Sequence, residues 1–201
     1  METKRTLPNV LPYILLICGI IGYVCAVVIM YDKIKILGNP HYKPSCDLNP
    51  VISCGSVMQS KQAAAFGIPN PFIGFAGFPI VATIGVTLLA GARLKRWFWL
   101  TLNIGLLFAV GFVHWLFFES VYRIHSLCPW CMVVWIVTIT LFWYITLYNI
   151  DKRYIRLPSS WQRTYKVVRR HHFDILMLWF IIIAAFIIKH FWYYYGAHLH
   201  L

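Results

Sequence analysis

A chain of 201 residues that is 60% hydrophobic and only 12% charged falls well short of the roughly 25% charge of a soluble domain, which excludes an ordinary water-soluble enzyme. The net charge of +12 would suit a nucleic-acid binder, but the basic residues stand at the ends of apolar runs, where they read as a topology signal beside anionic lipid. Six cysteines are too few for a disulfide-dense secreted scaffold.

Taken in chain order, five apolar runs each approach the ~20 residues needed to cross ~30 Å of hydrocarbon. The first, about Leu11–Tyr31, is too long for a signal-peptide core and is read as retained. A long connection, about Asp32–Pro71, follows and carries Cys46 and Cys54. Within it Ser56–Phe66 predicts a short helix, closed by Gly67 and Pro69, that lies on the membrane as a lid. Seven residues between Cys46 and Cys54, one of them a proline, suggest a mobile pair. The second and third runs are about Phe72–Ala92 and Trp97–Phe118. The fourth, about Leu127–Asn149, opens with Cys128-Pro-Trp-Cys131. A basic connection, 150–172, leads to the fifth run, about Phe173–Tyr193.

Lys4, Arg5, the 93–96 cluster and the 152–170 stretch hold twelve of the eighteen Lys and Arg. The positive-inside rule then puts the N-terminus in the cytoplasm. Both cysteine pairs consequently meet on the opposite, oxidising face, where disulfides persist.

Two thiols one helical turn apart can close and reopen a small disulfide. At a helix N-terminus the first thiol meets unpaired N–H groups that favour its thiolate. Cys46 and Cys54 would take electrons from a soluble thiol and pass them through a Cys54–Cys128 bridge to Cys128 and Cys131. Cys131, a turn deeper, faces a lipid-soluble two-electron acceptor such as a quinone. Asn70, at the entrance of the second run, is positioned to donate to a quinone carbonyl. A structural zinc site and a static pair of disulfides are the competing readings. Covalent haem attachment fails because Met132, not His, follows Cys131.

The order Cys46-x7-Cys54-x5-Ser60, Asn70 in Ile-Pro-Asn-Pro, then Cys128-Pro-Trp-Cys131 resembles the vitamin K epoxide reductase family, most closely its bacterial type, over about Leu11–Asn149. The resemblance implies that Cys46 and Cys54 shuttle electrons to Cys128 and Cys131, with Cys131 next to the quinone. It implies Asn70 as the quinone-carbonyl ligand and Ser60 as the loop serine near the site. Trp135 replaces the Tyr usual in animal members, and with Phe66 of the lid it joins the expected quinone-binding set. Some bacterial members continue into a thioredoxin-like domain; here a separate DsbA-like, thioredoxin-fold protein is the expected partner and a menaquinone or vitamin K-type quinone the substrate, with no metal and no nucleic acid. Reduction of vitamin K epoxide itself is the alternative within the family.

The expected architecture is an all-α integral membrane protein of the cytoplasmic membrane. A four-helix transmembrane bundle (1–149, outer loop 32–71) carries the active site, followed by the basic connection and a fifth transmembrane helix with an outer tail (173–201). Asp47 and Glu119 read as solvated carboxylates, Cys18 and Cys25 as packing residues. His114 reads as an interfacial histidine, His125 as a possible neighbour of the thiolate, and His190, His198 and His200 as an exposed tail.

Overall fold

A computed structural model describes residues 7–39 and 41–198, with side chains through residue 194. Lys4, Arg5, His200 and the side chain of His198 lie outside that description. The helices are α1 (Leu7–Gly38), α2 (Cys54–Gln59), α3 (Pro71–Leu89), α4 (Arg96–Glu119), α5 (Pro129–Asp151), α6 (Gln162–Arg170) and α7 (His172–His198). Among the described residues there is no strand, only an isolated parallel bridge between Ile52 and Leu127. Helices α1, α3, α4, α5 and α7 are long and apolar enough to cross a membrane, so the five expected runs all appear.

Their boundaries differ from the expected ones, and the connections are themselves folded. Helix α1 continues past Tyr31 to Gly38, because Ile36 is buried beneath the loop against Cys46, Cys54 and Met58. Helix α4 runs on through a π-helical turn, Ser120–Ile124, which His125 ends in the left-handed region at φ 56°. The basic connection folds as a 3₁₀ turn, Ser159–Trp161, and α6. Arg169 Nε lies 2.9 Å from Asp151 Oδ2, and the Tyr165 hydroxyl donates to Asp151 and to the Leu147 carbonyl. Burial, then that bond to Asp151, pushes the Tyr165 phenol up.

Helix α5 stands at the centre, against α1, α4 and α7, and α3 lies against α1. Between α1 and α3 the backbones nearly touch. A Cβ on Gly85 would sit 2.7 Å from Leu16 N and 2.8 Å from Pro12 O, and one on Gly19 would sit 2.7 Å from Ala82 N. In lipid, close backbone approach of this kind substitutes for the hydrophobic drive that holds soluble helices together. Gly85→Leu is therefore expected to lower stability by more than the ~1–3 kcal/mol usual for overpacking, since backbone cannot yield as a side chain does; thermal unfolding in detergent measures it.

The α4–α5 contact is polar at its heart. Asn149, fully buried, donates to Trp99 O at 3.2 Å and to Asn103 Oδ1 at 3.1 Å. Asn103 in turn donates to Thr146 Oγ1 at 2.9 Å. Helix α7 leans on the outside of the bundle, where the Trp179 indole donates to His114 and Trp143 to His172 O. It also reaches the cysteine end: Phe191 is wholly buried with Val51, Val121, Leu127 and Trp135.

Candidate active site

The approach to Cys54 is built from the loop's own polar side chains. Asn49 Oδ1 accepts from Val51 N at 2.9 Å and Ile52 N at 2.7 Å, an Asx turn. This turn lays Val51–Ser53 along Leu127. Leu127 N donates to Val51 O at 2.7 Å, Ser53 N to Leu127 O at 3.0 Å, and Ser126 Oγ to Pro50 O at 3.0 Å. The loop is thus stapled to the entrance of α5, whereas its length had suggested a mobile pair.

The short lid helix, expected from Ser56, begins at Cys54 because its N-terminus is capped there. Ser53 Oγ accepts from Ser56 N at 3.1 Å. Asp47 Oδ1 accepts from Gly55 N at 2.8 Å and from Ser53 Oγ at 3.2 Å. The helix breaks at Ser60, a 3₁₀ turn over Lys61–Ala64 follows, and Gly67 turns the chain at φ 77°. Asp47 is therefore a cap rather than the free carboxylate expected of it. Asp47→Ala should cost ~0.5–2 kcal/mol, the range of a lost helix cap, and should slow capture of a Cys54–Cys128 bridge; thermal unfolding and non-reducing peptide mapping read the two effects.

Cys46 and Cys54 form a disulfide with Cα atoms 5.7 Å apart, and Cys128 and Cys131 carry free thiols. The Cys128 thiol points at Cys54 Sγ from 3.2 Å. Both residues are buried, at 1% and 0% exposure. Pro129 opens α5 with Cys128 as its N-cap. The Cys131 thiol, then the N–H groups of Cys131 and Trp130, draw the Cys128 thiol below its ordinary range, against burial and the charge of Asp32. Asp32 itself is buried near the end of α1 and accepts the Tyr42 hydroxyl at 2.9 Å. That bond to the carboxylate holds the Tyr42 phenol above its usual value.

Beside the thiols lies a cavity of about 410 Å³, within the ~300–1,000 Å³ of small-molecule sites. Of the four cysteines in the relay only Cys131 lines it, and Ser60, Asn70 and Trp135 line it too. Phe66 does not; 57% exposed, it lies against the rings of Phe108 and Phe112 on α4 at 6.3 and 5.3 Å. Asn70 spends part of its amide on the lid: Nδ2 donates to Gln62 O at 2.7 Å and Oδ1 accepts from Ala65 N at 3.0 Å. One amide hydrogen is left over. Ser60 Oγ donates to Val57 O at 2.7 Å. The Trp135 ring meets Phe117 edge-on at 5.6 Å. An apolar chamber with a thiol and an amide in its wall fits a flat, lipid-soluble carbonyl compound.

Glu119 was read as solvated, yet it is 3% exposed and lines the cavity. Its i,i+4 pairing with Arg123 was the one signal in the sequence that it has a partner. His125 pairs with His190 of α7, Nδ1 to Nε2 at 3.0 Å, so His190 belongs to a contact rather than a loose tail.

A family model described as the vitamin K epoxide reductase family matches residues 13–146. No curated protein matches the chain.

Proposed function

Because the chain belongs to the vitamin K epoxide reductase family, a family of quinone-linked thiol–disulfide oxidoreductases, we propose that this multi-pass membrane protein oxidises a DsbA-like, thioredoxin-fold partner at the expense of a menaquinone-type quinone. The cysteine end of the bundle faces the extracytoplasmic side, in keeping with the distribution of Lys and Arg. The observation that carries this reading is the 3.2 Å approach of Cys128 Sγ to Cys54 Sγ, with Cys131 on the cavity side.

A thiolate of the reduced partner opens the Cys46–Cys54 disulfide, and exchange within the resulting mixed disulfide leaves the partner oxidised and the loop pair as two thiols. The Cys54 thiolate then attacks Cys128 in a Cys128–Cys131 disulfide. The Cys54–Cys128 bond forms and Cys131 departs as thiolate. Cys46 attacks Cys54 next, restoring the loop disulfide and releasing Cys128. A thiol drawn below its ordinary range leaves faster, and Cys128 is so drawn. The dithiol gives two electrons to the quinone as its S–S bond closes, and the quinone takes up two protons. Asn70 supplies the remaining amide hydrogen to a carbonyl oxygen where charge develops; Ser60 and Trp135 shape the wall, and Phe66 closes the lid against α4.

The test is anaerobic reduction of menadione, a naphthoquinone, by purified protein supplied with a reduced DsbA-like partner. Quinol formation that requires both protein and partner is expected. Folded protein that forms none, with the partner or with dithiothreitol, would leave static disulfides as the account of these cysteines.

A further inference from the structure

One carboxylate in the cavity wall has no part in the thiol relay. Glu119 ends α4, is 3% exposed, and lines the cavity that Cys131 and Asn70 also line. Burying a carboxylate in an apolar wall is expensive unless it is paired and hydrogen-bonded. Its Oε2 accepts from Gln62 Nε2 at 2.9 Å. Its Oε1 lies 3.5 Å from Arg123 Nε, long for a charge-assisted hydrogen bond. The Arg123 side chain is 65% exposed. The carboxylate therefore has the cavity on one side and, past a loosely held guanidinium, water on the other. Gln62 links it to the amide at the proposed carbonyl position, because Asn70 Nδ2 donates to Gln62 O.

On the reading of this cavity as the quinone site, we infer that Glu119 is its proton-transfer residue, taking protons from water past Arg123 and delivering them to the quinone oxygens. As the Cys128–Cys131 bond forms, two S–H bonds break, and two electrons pass to the quinone while the thiol protons leave to water. The quinone gains two O–H bonds, each from a proton handed on by Glu119 and replaced from water, so charge and protons balance. Negative charge building on a quinone oxygen draws a proton from a carboxyl group beside it, and Glu119 stands in that cavity wall. The titratable groups around it are few. Arg123 follows it in the π-helical turn, Lys33 of α1, whose Nζ donates to Met58 O, shares the cavity wall, and Cys131 enters from α5. The lid and α3 contribute the uncharged Gln62 and Asn70, and no other titratable side chain among the described residues lines the cavity.

The test uses the whole protein with dithiothreitol as reductant and menadione as acceptor. Wild type, Glu119→Gln and Glu119→Asp are compared across pH. Glu119→Gln keeps an oxygen to accept from Gln62, yet should slow quinol formation by about 10²-fold, the scale of a lost general acid. The loss should deepen as pH rises, because solvent protons are then the only source. Glu119→Asp should recover part of the rate. Wild type that forms no quinol overturns the reading of the cavity itself. Wild type that forms it, with Glu119→Gln equally fast or slowed by the same factor at every pH, overturns the assignment of Glu119.

Discussion

Cys131→Ser is expected to lower menadione reduction by about 10³-fold or more, the scale of losing a reacting nucleophile, and to leave Cys54 as the one relay partner of Cys128. The geometry separates the two outcomes. Cys131 is the one relay cysteine on the cavity, so without it no thiol of the relay stands beside the acceptor. Cys128 has lost its helical partner but keeps Cys54 Sγ at 3.2 Å. Cys54 of the variant can then bridge to Cys46 or to Cys128, and non-reducing peptide mapping tells the two apart. Quinol formation near the wild-type rate would place the donor elsewhere, with the buried Cys25 of α1 the first to examine.

Cys46→Ser should produce a selective failure. Cys54 is wholly buried and Cys46 slightly less so, which makes the loop disulfide the point where a large partner must begin. Turnover with a reduced protein thiol should fall by about 10²-fold or more, as expected when the attacked sulfur is removed. A small strong reductant should still reach the Cys128–Cys131 pair and support quinol formation. Equal loss with dithiothreitol would show that the loop pair is needed for the quinone step itself, and the division of labour between the pairs would be wrong.

The five spans and both cysteine pairs were legible because their signals are local: apolar length, and a two-residue spacing at a helix entrance. The features that were not legible depend on what the loop touches. Nothing in Asp32–Gly38 announces that α1 runs on, since Ile36 is helical there only because Cys46 and Met58 cover it. Asp47 looked solvated because its acceptors are spent on Gly55 N and Ser53, neighbours made by the fold of the turn. Glu119 stands one residue beyond an apolar run, a place that predicts water, yet the lid residue Gln62 donates to it. Phe66 fell in the lid as expected, but the break at Ser60 and the turn at Gly67 carry its ring to α4 instead of into the cavity. Helix α7, which the chemistry did not call for, enters the site's support through Phe191.

The bridge between Ile52 and Leu127 has a kinetic consequence. It joins segments whose cysteines, 54 and 128, are 74 positions apart, and so fixes one sulfur against the other before any reaction. Two thiols joined by slack chain meet at an effective concentration in the millimolar range, where millimolar thiols in the surroundings would compete on equal footing. Groups held in near-attack geometry reach effective molarities of about 10⁵ M or more. On the proposed relay, an oxidising equivalent arriving at Cys128 passes to Cys54 about 10⁸ times for each loss to a passing small thiol at millimolar concentration. In the proposed relay the staple thus insulates the exchange between the pairs, with Cys46, 8% exposed, and Cys131, on the cavity, as its two ends.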